Sequence, residues 1–199
     1  MQLNADQTDA VREIFNIGLG RAAATLSELI AMRIEMTVPR VTLRLLDDAG
    51  DPRAASPDVP DMAIIEDFRG GIAGRSALVL PHTSGLRLAQ LLSGVAEPVD
   101  ELDLEMSGIL TEVGNIMLNS VLGVLANIIG THLVYSVPHF HGARPVNLLL
   151  SHVTSGPRAV LVADADFWVR NDIIHGSILV AMETREAEAI LDAICKVEA

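Results

Sequence analysis

The stretch that decides the fold is Glu112–Pro138, EVGNIMLNSVLGVLANIIGTHLVYSVP, because a related stretch occurs earlier as Glu13–Pro39, EIFNIGLGRAAATLSELIAMRIEMTVP. An offset of 99 residues aligns the two stretches. The residues that are identical at this offset are, in the first copy, Glu13, Asn16, Ile17, Leu19, Leu26, Ile30, Val38 and Pro39. Packing alone explains the apolar matches, whereas a Glu and an Asn repeated at one spacing need a further reason. The sequence therefore indicates an internal duplication.

The remainder of the chain repeats the same order of elements. Apolar residues at helical spacing predict one long helix over about 7–32 and a second over about 102–129, and a shorter helix closes each half. Because the predicted turns between strands are short, we expect an α+β fold with a largely antiparallel sheet. The prediction is a single domain, residues 1–199, made of two repeats of about 1–99 and 100–199 that are related by an approximate twofold axis.

Two local features refine this prediction. Gly18 and Gly20 each weaken the first helix by up to about 1 kcal/mol relative to alanine, and close approach of another helix is the simplest reason for their presence. Pro39 interrupts a segment rich in Val, Ile and Thr, residues 33–44. This pattern predicts either a strand with a bulge at the proline or two strands that meet there.

Composition excludes several classes of protein. The net charge of −12, without a run of Lys or Arg, disfavours nucleic acid as a partner because phosphate groups would be repelled. Cys195 is the only cysteine, so no internal disulfide forms, and the N-terminal residues lack the basic and apolar segments of a signal peptide. We therefore expect a protein of the reducing cytoplasm.

The most apolar span, residues 113–135, is long enough to cross a bilayer. It contains Asn115, Asn119 and Asn127, and an unpartnered amide in lipid costs several kcal/mol. The sequence therefore favours a helix of a soluble protein over membrane insertion.

Glu112 and Asn115 are three residues apart, so they share one face of the predicted helix. The carboxylate can pair with a cation of a partner, and the amide can both donate a hydrogen bond to a water molecule and accept one from it. Neither group is a nucleophile. This combination suits hydrolysis in which the partner supplies the reactive group and the metal, as in phosphoryl transfer. Two other interpretations remain open: a solvated helix face, or a surface that only binds.

The first copy resembles a known family. Its pattern, Asp9-x3-Glu13-x2-Asn16-x22-Pro39, is similar to the Asp or Ser, Glu, Asn and Pro pattern of the CheC, CheX and FliY phosphatases of chemotaxis. The sequences Asn16-Ile-Gly-Leu-Gly20 and Glu112-Val-Gly-Asn-Ile-Met117 resemble the first and second motif helices of CheC. The resemblance covers both halves and identifies the chain as a stand-alone CheC-like protein.

This resemblance implies an enzyme that hydrolyses the aspartyl phosphate of the response regulator CheY. Glu13 and Glu112 would contact a lysine of the regulator, Asn16 and Asn115 would orient the attacking water, and Asp9 would help to bind the partner. The resemblance implies no cofactor on this chain, since Mg²⁺ is carried by the regulator, and it implies CheD as a further possible partner.

One position departs from the family pattern. The residue four before Glu112 is Gly108, where the family has Asp or Ser, and Ser107 lies about 100° around the helix from that position. We therefore expect two sites, of which the first is complete, and we keep a binding module without catalysis as the alternative. His139 and His141 can lie on one side of a strand, but no third ligand is evident and no metal site is predicted.

Overall fold

The computed structural model describes residues 2–46, 61–97, 99–142 and 158–197. Within these ranges the chain forms helices on one antiparallel sheet, which confirms the predicted α+β class. The elements, in chain order, are α1 (Ala5–Leu29), β1 (Ile34–Leu46), β2 (Asp61–Gly70), β3 (Gly74–Pro81), α2 (His82–Ser93), α3 (Leu104–Ile128), β4 (Leu133–Tyr135), β5 (His139–His141), β6 (Arg158–Val169), β7 (Asp172–Glu183) and α4 (Thr184–Val197).

The seven described strands form one sheet in the order β1-β6-β7-β3-β2-β4, and β5 also pairs with β2. Exchanging the two halves of the chain leaves this order unchanged, because β1 pairs with β6 in the same way as β4 and β5 pair with β2. The register agrees as well: Ile34 is opposite Val169, and Leu133 is opposite Gly70, so each residue is replaced by one 99 positions away. The division into two repeats remains a prediction, and this shared register supports it.

Each copy has a break in strand pairing at its proline. In the first copy β1 is continuous, but its register against β6 shifts between Thr37 and Arg40. In the second copy β4 ends at Tyr135 and β5 begins at His139, on either side of Pro138. Proline has no N–H to donate to a neighbouring strand. The prediction for residues 33–44 is therefore confirmed in its form of a bulged strand, and the second copy has two separate strands at the corresponding place.

Hydrogen-bonding side chains fix where the two long helices begin. Oδ1 of Asn4 accepts from the backbone N–H of Gln7 at 2.8 Å, and Oε1 of Gln7 accepts from the N–H of Asn4 at 3.1 Å. At the start of α3, Oδ1 of Asp103 accepts from the N–H of Met106 at 2.8 Å. Such caps satisfy backbone donors that a helix leaves free, so they set the register of the Glu and Asn motifs.

The long helices pack closely on each other and on the sheet. A Cβ atom on Gly18 would lie 2.7 Å from Cα of Val121, and a Cβ on Gly114 would lie 2.6 Å from Cβ of Ile64. Close approach therefore explains Gly18, as predicted. The same explanation is wrong for Gly20, where a Cβ would meet nothing within 4 Å because this position faces open space.

Helix α3 is long and apolar enough to cross a membrane by length and composition. Over half of its most apolar window, 56%, is buried against the rest of the protein, and Leu118, Val121 and Leu122 are almost completely buried. The apolar side chains on this part of the helix are therefore removed from water by the protein's own core.

The two glycines of α1 allow a matched test of this packing. Gly18→Ala is expected to destabilise the protein by about 1–3 kcal/mol, because the added methyl group overlaps the backbone of Val121. Gly20→Ala is expected to stabilise it by up to about 1 kcal/mol, since only helix propensity changes there. Urea unfolding followed by circular dichroism measures both effects, and equal effects of the two substitutions would contradict the assigned contact between α1 and α3.

Candidate active site on the two long helices

The structure places one Glu and one Asn together on each long helix. Glu13 and Asn16 lie on α1, and Glu112 and Asn115 lie on α3. Both glutamates are exposed and both asparagines are half-buried, so none of the four is sealed in the core. Each pair can therefore meet a partner at the surface, with the carboxylate further out than the amide.

In the first copy the backbone fixes the orientation of the amide. The N–H of Val38 donates to Oδ1 of Asn16 at 2.8 Å. Because a backbone N–H can only donate, the side-chain oxygen must face Val38 and the NH₂ group must face away from it. The register shift next to Pro39 lies where Val38 makes this bond, so the proline break and the motif asparagine form one local structure.

In the second copy a side chain takes the place of that backbone donor. Nδ2 of Asn119 donates to Oδ1 of Asn115 at 2.7 Å. Asn119 is 99 residues beyond Gly20, so the first copy has no counterpart of this amide. The Oδ1 atom of Asn119 is buried and has no hydrogen-bond partner within the described part of the chain. The two copies thus hold the same asparagine by different means.

The fifth predicted residue, Asp9, is exposed one turn before Glu13 and forms an ion pair of 2.9 Å with Arg12. Both side chains are largely solvated, so this ion pair contributes little to stability. Its counterpart Gly108 is exposed, and a Cβ there would meet nothing within 4 Å. Packing therefore does not require glycine at this position of the second copy.

A groove of about 500 Å³ runs beside Glu13 between the long helices. One wall carries Glu13, Ile17 and Arg21 of α1, and the facing wall includes Val124 and Asn127 of α3. Ile17 is 40% exposed. The groove therefore offers a partner an apolar surface bordered by charges of both signs.

Sequence analysis missed a buried carboxylic acid, Glu66, which is only 1% exposed. Burial raises the pKa of Glu66 to about 7, and a long hydrogen bond of 3.4 Å from the Ser76 hydroxyl opposes this rise. Its Oε2 atom has no hydrogen-bond partner within the described residues. Burial also raises the pKa of Tyr135, and the negative charge of Glu66 raises it further. Strand alternation is the signal that could have revealed the burial of Glu66, because this residue lies between Ile64 and Phe68 on the core side of β2.

The two histidines of β5 lie on the opposite side of the sheet from Glu66. His139 is opposite Ile65 and His141 is opposite Ala63, so both rings share the face away from the helices. Burial lowers the pKa of His141, and the nearby His139 and Arg75 lower it further. The described ranges contain no group of three His, Cys, Asp or Glu side chains that could hold a metal ion.

Sequence comparison relates the chain to chemotaxis phosphatases. The model of the CheC-like family matches residues 7–43. The CheY-P phosphatase CheC of Bacillus subtilis is 30% identical over 139 residues, which are 68% of this chain and 66% of CheC. The flagellar motor switch phosphatase FliY of the same species is 32% identical over 92 residues, 46% of this chain and 23% of FliY. The matched region thus spans less than two thirds of either relative.

Solved structures share the fold over nearly the whole chain. FliY of Thermotoga maritima has a TM-score of 0.70 at 22% identity and covers 98% of this chain and 99% of that one. FliM in the FliG–FliM complex of H. pylori has a TM-score of 0.67 at 11% identity and covers 96% and 100%. A CheX–CheY complex of Borrelia burgdorferi with BeF₃ and Mg²⁺ gives a TM-score of 0.50 at 20% identity and covers 86% and 97%. The chain is therefore similar in sequence to CheC-like proteins, and the solved structures share its fold.

Proposed function

We propose that this protein is a phosphatase that hydrolyses the aspartyl phosphate of a CheY-like response regulator. One observation carries the proposal: both long helices present an exposed Glu and a half-buried Asn three residues apart, and each Asn has its carbonyl oxygen occupied. The name of the B. subtilis relative, CheY-P phosphatase CheC, agrees with this chemistry.

The geometry leaves the NH₂ groups of Asn16 and Asn115 free to donate toward the partner. Such a donor can hold a water molecule or a phosphoryl oxygen, and it needs no reorganisation when the transition state forms. Glu13 and Glu112, further out on the same faces, are placed to pair with a lysine of the regulator. Asp9 lies one turn further along α1 and would extend the first contact surface.

The metal would arrive with the substrate. Phosphoryl transfer needs a cation to neutralise charge on the phosphoryl oxygens, and we assign Mg²⁺ to the regulator and none to this chain. A complex of CheX with CheY was solved together with BeF₃ and Mg²⁺. Because its partner would be a cytoplasmic regulator, we place the protein in the cytoplasm as well.

The direct test measures the loss of phosphate from a phosphorylated CheY-like regulator, with and without this protein, in Mg²⁺. Acceleration at substoichiometric concentrations of this protein supports catalysis. Binding of the regulator without any acceleration would overturn the proposed activity.

Neutralising both exposed carboxylates should affect binding more than chemistry. The Glu13→Gln, Glu112→Gln double variant is expected to weaken regulator binding at each site by up to roughly 5-fold, since each site loses one charged pair at an interface rim, which contributes up to about 1 kcal/mol. The maximal rate should change less than the Michaelis constant. Steady-state rates over a range of regulator concentrations and two salt concentrations measure this, and a loss confined to the maximal rate would contradict the assigned role.

A second candidate is a module that binds a response regulator or CheD without hydrolysis. Gly108 favours it, because the second copy lacks the carboxylate or hydroxyl of the family pattern. The same fold also occurs in FliM bound to FliG, a complex between proteins. Retention of CheD or the regulator in a binding assay, with phosphate loss at its spontaneous rate, would select this candidate.

A further inference from the structure

The second site has polar side chains at three positions where the first site has none. Glu66 comes before the second motif in the sequence, but it belongs to the second site because β2 pairs with β4 and β5. At the offset of 99 residues, three polar residues of the second site correspond to apolar residues of the first. Glu66 corresponds to Ala165, Asn119 to Gly20 and Tyr135 to Met36.

Strand pairing places Glu66 beside the break that accompanies the motif asparagine. On β2, Phe68 is opposite Tyr135 and Ile65 is opposite His139, so Glu66 faces the gap between β4 and β5. Ile64 and Phe68 point into the core under the helices, and strand alternation turns Glu66 the same way. Helix α3 lies directly on this part of β2, as the contact between Gly114 and Ile64 shows.

Asn119 is brought to the same place by the path of its helix. In the first copy Asn16 bonds Val38 at 2.8 Å and Ser27 bonds Ile34 at 2.9 Å, so α1 runs antiparallel above β1 with Gly20 between these contacts. The offset of 99 relates Gly20 to Asn119 and residues 34–38 to residues 133–137, so a helix path shared by the two copies would bring Asn119 toward residues 133–137. Tyr135 lies in that segment, and it is close enough to Glu66 for the two groups to affect each other electrostatically.

Two buried oxygen atoms in this region lack a donor. They are Oε2 of Glu66 and Oδ1 of Asn119, and neither has a hydrogen-bond partner within the described residues. An unsatisfied buried acceptor costs about 1–3 kcal/mol, so each of these two atoms calls for a hydrogen-bond donor. A proton on the carboxyl group supplies it, directly or through one water molecule.

We propose that Glu66 is a positioning residue of the second site, whose protonated carboxyl donates toward Oδ1 of Asn119 and thereby fixes the amide of Asn115. In this state Asn119 donates to Oδ1 of Asn115, whose NH₂ group faces outward as it does in Asn16. An ionised Glu66 needs a donor instead, so Asn119 turns its NH₂ group toward the carboxylate and its oxygen toward Asn115. The amide of Asn115 then turns over, and the second site loses its outward donor.

The groups facing Glu66 are neutral near pH 7. They are the Ser76 hydroxyl on β3 and the Tyr135 phenol on β4, whereas Glu112 is exposed on α3. Arg75 pairs with Asp67 on the opposite side of the sheet, where His139 and His141 also lie. The role of Glu66 deepens the proposed function. The effect of Glu66 ionisation on the rate can be seen only if the protein is a phosphatase, whereas its effect on the amide of Asn115 does not depend on that activity.

The test follows the side-chain amide signals of Asn115 and Asn16 by ¹⁵N NMR of the whole chain between about pH 5 and pH 8. Asn115→Ala and Asn16→Ala assign the signals. We expect a shift of the Asn115 signals with a midpoint near the Glu66 pKa of about 7, no such shift for Asn16, and loss of the shift in Glu66→Gln. Persistence of the shift in Glu66→Gln, or its absence in the wild type, would overturn the proposal.

Rates give an independent readout. In the Asn16→Ala variant only the second site keeps its asparagine, and in Asn115→Ala only the first site does. The phosphatase activity of Asn16→Ala, divided by that of Asn115→Ala, should fall as the pH rises through about 7. Adding Glu66→Gln to Asn16→Ala should remove this fall, because the Gln amide always has hydrogens to donate. An unchanged fall would contradict the proposal. If no variant has activity, the proposed function fails, and the NMR result still decides the role of Glu66.

Discussion

Replacing both Asn16 and Asn115 with alanine is expected to return phosphate loss from the regulator to its spontaneous rate. The reason is that each amide is the preorganised donor of its site, with its oxygen held by Val38 in one copy and by Asn119 in the other. Removing one such donor from an active site typically lowers the rate by about 10²- to 10³-fold. Each single variant should retain the activity of the other site, so only the double variant tests both.

The controls for this prediction separate chemistry from folding and binding. Both asparagines are half-buried, so we expect the double variant to stay folded, which circular dichroism checks. Regulator binding should persist through Glu13 and Glu112, and a pull-down or calorimetry measures it. A double variant that is folded, binds the regulator and still accelerates phosphate loss would exclude both amides from the mechanism.

The sequence predicted those parts of the structure that the duplication repeats. Glu13 with Asn16 and Glu112 with Asn115 lie on two long helices as expected, and the strand at Pro39 has the predicted bulge. These features are local, because each depends on residues close together in one helix or strand. The repeat made them visible by showing the same pattern twice.

Features that depend on distant contacts were not predictable in the same way. Gly18 and Gly20 are two residues apart in one helix, yet only Gly18 meets Val121 of the other helix. The central pairing of β3 with β7 joins segments about 100 residues apart, for example Ala77 with Leu179, and no local pattern specifies it.

The differences between the copies were also missed, because attention to identical residues hides positions that differ. Asn119 has no counterpart at Gly20, and Glu66 has no counterpart at Ala165. A comparison of the unlike positions would have flagged both residues as polar substitutions within an apolar pattern. Their effect on Asn115 depends on pairing between β2 and the second half of the chain, which only the structure supplies.

Glu66 is expected to make the stability of the protein depend on pH. The folded protein keeps the proton of this carboxyl up to about pH 7, whereas a solvated Glu loses it near the ordinary value of 4.5. Between these values the folded state binds more protons than the unfolded state, so the free energy of unfolding falls as the pH rises. The difference in pKa corresponds to a loss of roughly 3 kcal/mol, since each unit corresponds to about 1.4 kcal/mol.

The variant Glu66→Gln has no such proton, so its stability relative to the wild type should rise by roughly 3 kcal/mol between about pH 5 and pH 8. Urea unfolding of both proteins over this range gives the difference, in which the titration of all shared groups cancels. Glu188→Gln is the matched control, because it removes the same charge at an exposed position of α4 and leaves the buried carboxyl in place. Parallel stability curves for Glu66→Gln and the wild type would contradict the raised pKa of Glu66, because a carboxyl whose proton affinity does not change on folding adds no pH dependence to stability.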